Sequence, residues 1–230
     1  MSDRYAEYQI RYGNKTITMT VSDPDDLIQK RHVHGRFYEI EELEYIRTLL
    51  PPNSTVADVG ANVGNHSLFF SQVCRAGCVI AFEVNEEAID LLKRNVAINR
   101  DKAIDLSCVG CAVGNGGGFV KVKSKGSPHN LGSATFVASP DVSGYRMEAL
   151  DKLLDGRDVD FIKIDVEGME FDVLEGALET IRRSRPILFV EVRKNDLDRY
   201  FSIMKSMNYR TERTFQRYRG VFTFSALYGR

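Results

Sequence analysis

Residues 55–66 read T-V-A-D-V-G-A-N-V-G-N-H. A short apolar run ends on Asp58. Gly60 and Gly64 follow, four apart, at the mouth of a helix-like stretch. A strand, a glycine-bearing turn and a helix start make one βα unit, and its turn must let backbone come close to something. Beyond it, apolar runs alternate with amphipathic stretches of helical period. The expected strands are 56–59, 79–82, 104–109 with 112–113, 159–166 and 186–192. The expected helices are 65–74, 86–99, 170–181 and 195–207, the last capped by Asn195 or Asp196. Strands separated by helices pair in parallel through crossovers. Residues 209–214 and 221–227 read as a closing antiparallel pair. The fold class is therefore α/β: a mostly parallel seven-stranded sheet flanked by helices, with an antiparallel C-terminal strand pair.

Two regions stand outside this rhythm. Residues 8–21 alternate around Gly13-Asn14 as a hairpin. After it come a helical turn over 25–30 and an apolar helical stripe over 39–50, stopped by Pro51-Pro52. Residues 1–50 are thus an N-terminal hairpin and helix extension of a single domain spanning 1–230. Residues 114–141 open on Gly114, Gly116, Gly117 and Gly118 and read as a hairpin with a polar tip, where binding groups commonly sit. Residues 147–154 read as a short helix.

The net charge of −1 rules out a global basic field, so no nucleic-acid partner is expected. The pairs Arg182-Arg183 and Arg217 with Arg219 read as solvated faces. The opening M-S-D-R-Y-A-E-Y has no apolar core and no run approaches about 18 apolar residues, so neither a secretory signal nor a transmembrane segment is expected. A cytoplasmic location follows. Cys74, Cys78, Cys108 and Cys111 have spacings that zinc also uses. They fall in apolar sequence and read as small buried thiols. An oligomer is compatible with the sequence.

The chemistry gathers at strand ends, where an open parallel sheet binds its ligands. A dinucleotide turn wants G-x-G-x-x-G. This chain has D-x-G-x-x-x-G, with Asp58 at the first glycine position. A carboxylate there repels a pyrophosphate but accepts hydrogen bonds from a cationic or hydroxyl-bearing ligand. Gly60, Asn62 and Gly64 complete the turn. Glu83 ends the second strand, placed to accept both ribose hydroxyls. Asn85 either caps the next helix or touches the nucleoside, and capping is the better reading.

A second cluster is F-I-K-I-D-V-E-G-M-E, residues 161–170. Asp165 closes a strand and Glu167 follows at a helix mouth. Glu170 falls in the first helical turn, where negative charge is favoured. Lys163 shares strand parity with Asp165 and needs a carboxylate partner, Asp58 or Glu191, if it is buried. Glu191, at the end of the next strand, is expected near Asp165. Such a pair supplies a raised pKa for proton abstraction or, alternatively, two ligands for a hard metal; no metal is expected. His66 reads as a helix-face or cofactor-loop residue and His129 as a loop residue. His32 and His34 read equally as acceptor-lid or surface residues.

These stretches resemble FkbM-type S-adenosylmethionine-dependent methyltransferases. The resemblance rests on G-R-F-Y-E (35–39), V-A-D-V-G-A-N-V-G-N-H (56–66), A-F-E-V-N (81–85), N-L-G (130–132), D-F-I-K-I-D-V-E-G-M-E-F-D-V-L-E-G-A (160–177) and P-I-L-F-V-E (186–191). It implies a Rossmann-like class I methyltransferase fold, with S-adenosylmethionine as cofactor. By the same resemblance, Asp58, Gly60, Asn62 and Gly64 form the methionine-side turn, Glu83 receives the ribose, and Glu39 approaches the cofactor from the N-terminal segment. Asp165 and Glu167 form an acidic pair at the active-site mouth, the candidate catalytic residues. The family often has proline after the second strand's acid; here Val84-Asn85 stands there. The resemblance implies methyl transfer to a hydroxyl oxygen of a small molecule or sugar. The alternatives are an amine acceptor or a non-catalytic cofactor-binding protein.

Overall fold

The computed structural model describes residues 5–229. Its centre is a seven-stranded sheet built from β3 (Thr55–Val59), β4 (Cys78–Phe82), β5 (Ile104–Asp105), β10 (Phe161–Ile164), β11 (Ile187–Arg193), β12 (Tyr209–Tyr218) and β13 (Val221–Tyr228). The order across the sheet is β12-β13-β11-β10-β3-β4-β5. The five strands from β11 to β5 pair in parallel, while β13 runs antiparallel to both β11 and β12. This is the expected seven-stranded, Rossmann-like sheet with its antiparallel pair.

Alternation along the strands sorts the core onto two faces. Ala57, Val59, Ile80, Phe82, Ile162 and Ile164 face helices α5 (Leu150–Leu154), α6 (Glu170–Glu175), α7 (Leu178–Ser184) and α8 (Leu197–Ser206). Val56, Val79, Ala81, Phe161 and Phe189 face the other way. That side packs α2 (Ile40–Leu49), α3 (Asn65–Leu68), α4 (Glu86–Ile98) and the hairpin of β1 (Ala6–Tyr12) and β2 (Lys15–Val21). The hairpin turns at Gly13-Asn14, as its alternation predicts.

Five expectations need correction. Residues 104–113 are not one strand region: β5 is two residues long, and β6 (Ala112–Gly114) leaves for a second sheet. That sheet, ordered β6-β9-β7-β8, contains β7 (Gly118–Ser124), β8 (Thr135–Ser139) and β9 (Tyr145–Ala149). Residues 145–149 are therefore strand, and the helix begins only at Leu150. Met147 and Glu148 are both buried, Glu148 holding Lys152 at 2.7 Å. The helix expected over 170–181 is broken into α6 and α7 at Gly176 and Ala177, where the chain packs so closely on the second sheet that a Cβ on Gly176 would stand 1.9 Å from the Gly114 carbonyl oxygen. The backbone of the second sheet occupies that space. The helix expected over 65–74 is one α turn followed by a π turn over Phe69–Val73, across which Phe69 and Phe70 are both fully buried. At the N-terminal side the short helix α1 lies at Gln29–Val33, a few residues beyond the expected turn.

Candidate functional site

A cavity of about 290 Å³ opens beyond the carboxyl ends of β3, β4, β10 and β11. Its floor is the turn after β3. Gly60 is left-handed (φ 83°), and a Cβ there would lie 1.8 Å from the Asp165 carbonyl oxygen. Only glycine lets the two strand-end turns touch in this way. Asn62 is also left-handed (φ 49°), and its backbone N–H donates to Glu83 Oε2 at 2.8 Å. Gly64 is the N-cap of α3, with φ 88° and no room for a Cβ against Leu92.

Glu83 is held by three backbone donors: Asn62 on one oxygen, Val84 and Asn85 on the other, each at 2.8 Å. Burial pushes its carboxyl above the usual glutamate range, and those three N–H groups and Lys163 pull against that. Asn85 caps α4, accepting from Glu87 N at 3.1 Å, and its amide donates to the Leu131 carbonyl at 3.3 Å. Around this end the cavity wall is apolar, with Val84, Ala88, Ala112, Val113, Leu131 and Phe136.

The opposite end is acidic. Glu39, Asp165, Glu167 and Glu191 all line it. Ligand atoms of Asp165, Glu167 and Glu191 lie within 4.8 Å of one another. Lys163 sits behind them, 3.4 Å from Asp58 and 3.6 Å from Asp165, and donates to the Gly60 carbonyl at 2.9 Å. Its partners are thus Asp58, its neighbour in the parallel register, and Asp165, rather than Glu191. Burial draws the Lys163 ammonium down, but Asp58 and Asp165 more than offset this and hold it above the usual lysine value. Burial also raises Asp165; Lys163 opposes the shift and Glu39 adds to it. A third of the Asp165 side-chain surface is open, but it opens into the cavity. Glu167 is raised by burial and by Asp165, with Arg193 3.0 Å away pulling the other way. Glu191 rises furthest, to about 9, through burial and then through Asp165, Glu167 and Glu39.

Of the nine residues singled out in the sequence, Glu39, Gly60, Asn62, Glu83, Asn85, Asp165 and Glu167 line this one cavity. Asp58 and Gly64 lie beneath it. Asp58 is fully buried, accepts from the Ser67 hydroxyl at 2.6 Å and pairs with Lys163. His66 is buried with Nε2 3.3 Å from Glu39. His32 is neither lid nor surface: it is fully buried, 3.0 Å from Asn65 Oδ1, and burial lowers its pKa to about 4. His34 is exposed. His129 is exposed and pairs with Asp23 at 2.7 Å, which raises its pKa.

Of the roof, the sequence offered the 114–141 excursion and N-L-G at 130–132, but not what holds them over the cavity. Asp26 ties the N-terminal segment to the β7–β8 connection: its Oδ1 accepts from Ile28 and Gln29, its Oδ2 from Leu131 N at 2.8 Å. Leu27 N donates to the His129 carbonyl at 2.8 Å. The hydroxyls of Tyr38 and Tyr218 meet at 2.6 Å, joining residues 180 positions apart. The D-P-D-D turn at 23–26 was the one available signal for Asp26; Tyr218 carried none. The thiols are all free, and Cys111 lines the apolar end rather than lying within a strand. No helix among the described residues is long and apolar enough to cross a membrane.

The model of the methyltransferase FkbM domain matches residues 58–211. The methyltransferase sdnD of Sordaria araneosa is 26% identical over 165 residues, 56% of this chain and 62% of that protein. The methyltransferase FkbM of Methylobacillus flagellatus KT superposes with a TM-score of 0.56 at 20% identity, over 75% of this chain and 43% of that one. An rRNA methylase of Streptococcus thermophilus gives 0.53 at 12% identity, over 83% and 95%. The latter two likenesses speak to the fold. The chain spans under two thirds of the length of the sdnD and FkbM relatives.

Proposed function

The chain belongs to the FkbM methyltransferase family, whose members depend on S-adenosylmethionine, and from that premise we propose that it transfers a methyl group to a hydroxyl oxygen of a small molecule or sugar. The observation that carries this reading is the contrast between the cavity's two ends. The apolar end suits a flat base, and the Glu83 carboxylate beside it suits a vicinal pair of ribose hydroxyls. The acidic end suits a sulfonium and an ammonium. Gly60 and Asn62 would supply the backbone floor between them, and Glu39 would meet the amino-acid portion. Asp58 and Gly64 would act from below, by fixing that floor through Lys163 and the start of α3. Asn85 would shape the adenosine side while capping α4.

When bound, S-adenosylmethionine supplies an electrophilic methyl group. The chain's own work is to align an acceptor oxygen and take its proton. Asp165 is the first candidate base and Glu167 the second. Both face the cavity.

The test is a methyl-transfer screen with isotope-labelled cofactor against hydroxylated sugars, glycolipids and small metabolites. The expected product carries the label on oxygen. Label found on nitrogen alone sinks the hydroxyl reading in favour of an amine acceptor.

A further inference from the structure

We propose that Glu191 is a positioning residue for the acceptor's deprotonation: neutral in the carboxyl cluster beside Asp165, it leaves the negative charge on Asp165, which receives the acceptor's hydroxyl proton. The inference rests on the hydroxyl-transfer reading. Three features of the cavity carry it.

First, Glu191 lies in β11 one residue beyond the last pair with β10, with its carboxyl within 4.8 Å of those of Asp165 and Glu167. Second, among the described residues its side chain makes no hydrogen bond or ion pair, unlike each of its acidic neighbours. The groups facing it are Asp165 and Glu167 from the end of β10, Glu39 from the N-terminal segment and Glu170 from the start of α6. Arg193 on its own strand is turned to Glu167, His66 to Glu39, and Lys163 to Asp58 and Asp165. Third, a carboxyl crowded by other carboxyls gives up its proton less readily than one lying against a cation. Lys163 lies against Asp165, so the negative charge settles on Asp165 and the proton on Glu191. The raised pKa of Glu191 agrees with that placement.

The balance is simple. The acceptor's O–H bond breaks as its oxygen bonds to the methyl carbon. The methyl–sulfur bond breaks and leaves its electron pair on a neutral thioether. The proton passes to the Asp165 carboxylate, which stays charged beforehand because Lys163 lies against it and Glu191 beside it is neutral. A singly protonated pair is thus the receptive form, and the doubly protonated form then loses its extra proton to solvent.

The test has a spectroscopic arm and a kinetic arm. In the cofactor-free protein at neutral pH, infrared difference spectra between wild type and Glu191→Gln are expected to show a protonated-carboxyl stretch. That stretch fades as the pH rises through about 9. In Asp165→Asn the same stretch is expected to titrate at lower pH, because Glu191 has lost a charged neighbour. With a hydroxyl acceptor from the screen, Glu191→Gln is expected to lower kcat by about tenfold or more. Its S-adenosylhomocysteine affinity is expected to stay within about threefold, below the weight of one charged hydrogen bond. Superimposable spectra of wild type and Glu191→Gln, or an unchanged kcat, overturn the proposal. A carboxyl stretch that is present while every labelled product is an amine overturns the hydroxyl reading instead.

Discussion

Glu83 and Glu191 are the same residue at corresponding ends of two parallel strands, and they live in opposite surroundings. Glu83 receives three backbone N–H groups. Glu191 receives none and faces four other carboxyls. Burial pushes both upward, but the donors restrain Glu83 while the neighbours drive Glu191 to about 9. The difference teaches that a strand-end acid gets its role from the turns around it. A carboxylate wrapped by amides is rigid and charged, a recognition group. One crowded by like charge holds a proton and exchanges it.

The largest expected effect breaks the acidic end. Asp165→Asn removes the carboxylate that Lys163 keeps charged. A fall in kcat of about a hundredfold or more is expected, with S-adenosylhomocysteine affinity nearly kept, as calorimetry and single-turnover rates would check. Equal losses in both would recast Asp165 as a binding group. Next comes the amide-wrapped end. Glu83→Ala is expected to weaken S-adenosylmethionine binding by about 10- to 100-fold, the weight of one or two hydrogen bonds to a charged group. An unchanged dissociation constant in calorimetry would take the ribose away from Glu83.

A smaller effect sharpens the comparison through stability. The folded pKa of Glu191 is raised above its ordinary 4.5, to about 9. The native state therefore binds this proton more tightly than the unfolded chain does. The resulting stabilisation is full below about 4.5 and is lost as the pH climbs through about 9. Glu191→Gln keeps a neutral group there, so it is expected to gain on wild type across that window. The gain should reach about 1–3 kcal/mol at the alkaline end, as the usual scale of such burial suggests. Denaturant midpoints at pH 5 and pH 9 would show it, and a constant difference between the two would count against a proton on Glu191. The smallest effect lies on the roof. Asp23→Asn removes the partner that raises His129. The histidine's titration, followed by NMR, should move back toward its ordinary value, with the melting temperature unchanged because the pair is exposed.

The sheet was legible because its strands are short, apolar and evenly interrupted by helical stripes. Asp58, Gly60, Glu83 and Asp165 were legible because they stand at the ends of those strands, and strand ends converge in a parallel sheet. What escaped was set by contacts distant in sequence. Residues 145–149 join a sheet with residues 112–114 and 118–120, pairings that no local period announces. Gly176, where the helix breaks, packs against the Gly114 carbonyl, 62 positions away. His32 read equally as a lid or a surface residue because the segment before α2 is polar; packing against Asn65 buries it instead. The meeting of Tyr38 with Tyr218 likewise belongs to no motif.

The contact between Gly60 and the Asp165 carbonyl ties the cavity floor to the group at its acidic end. The two turns are one rigid piece, whose spacing no side chain can adjust. The three roof segments carrying Asp26, Leu131 and Tyr218 lie outside that piece. They are held by a few hydrogen bonds: Leu131 N to Asp26, Leu27 N to the His129 carbonyl, His129 to Asp23, and the Tyr38–Tyr218 hydroxyl pair. A floor set by close backbone packing and a roof hung mostly on side chains leave the roof as the part that substitution can reshape.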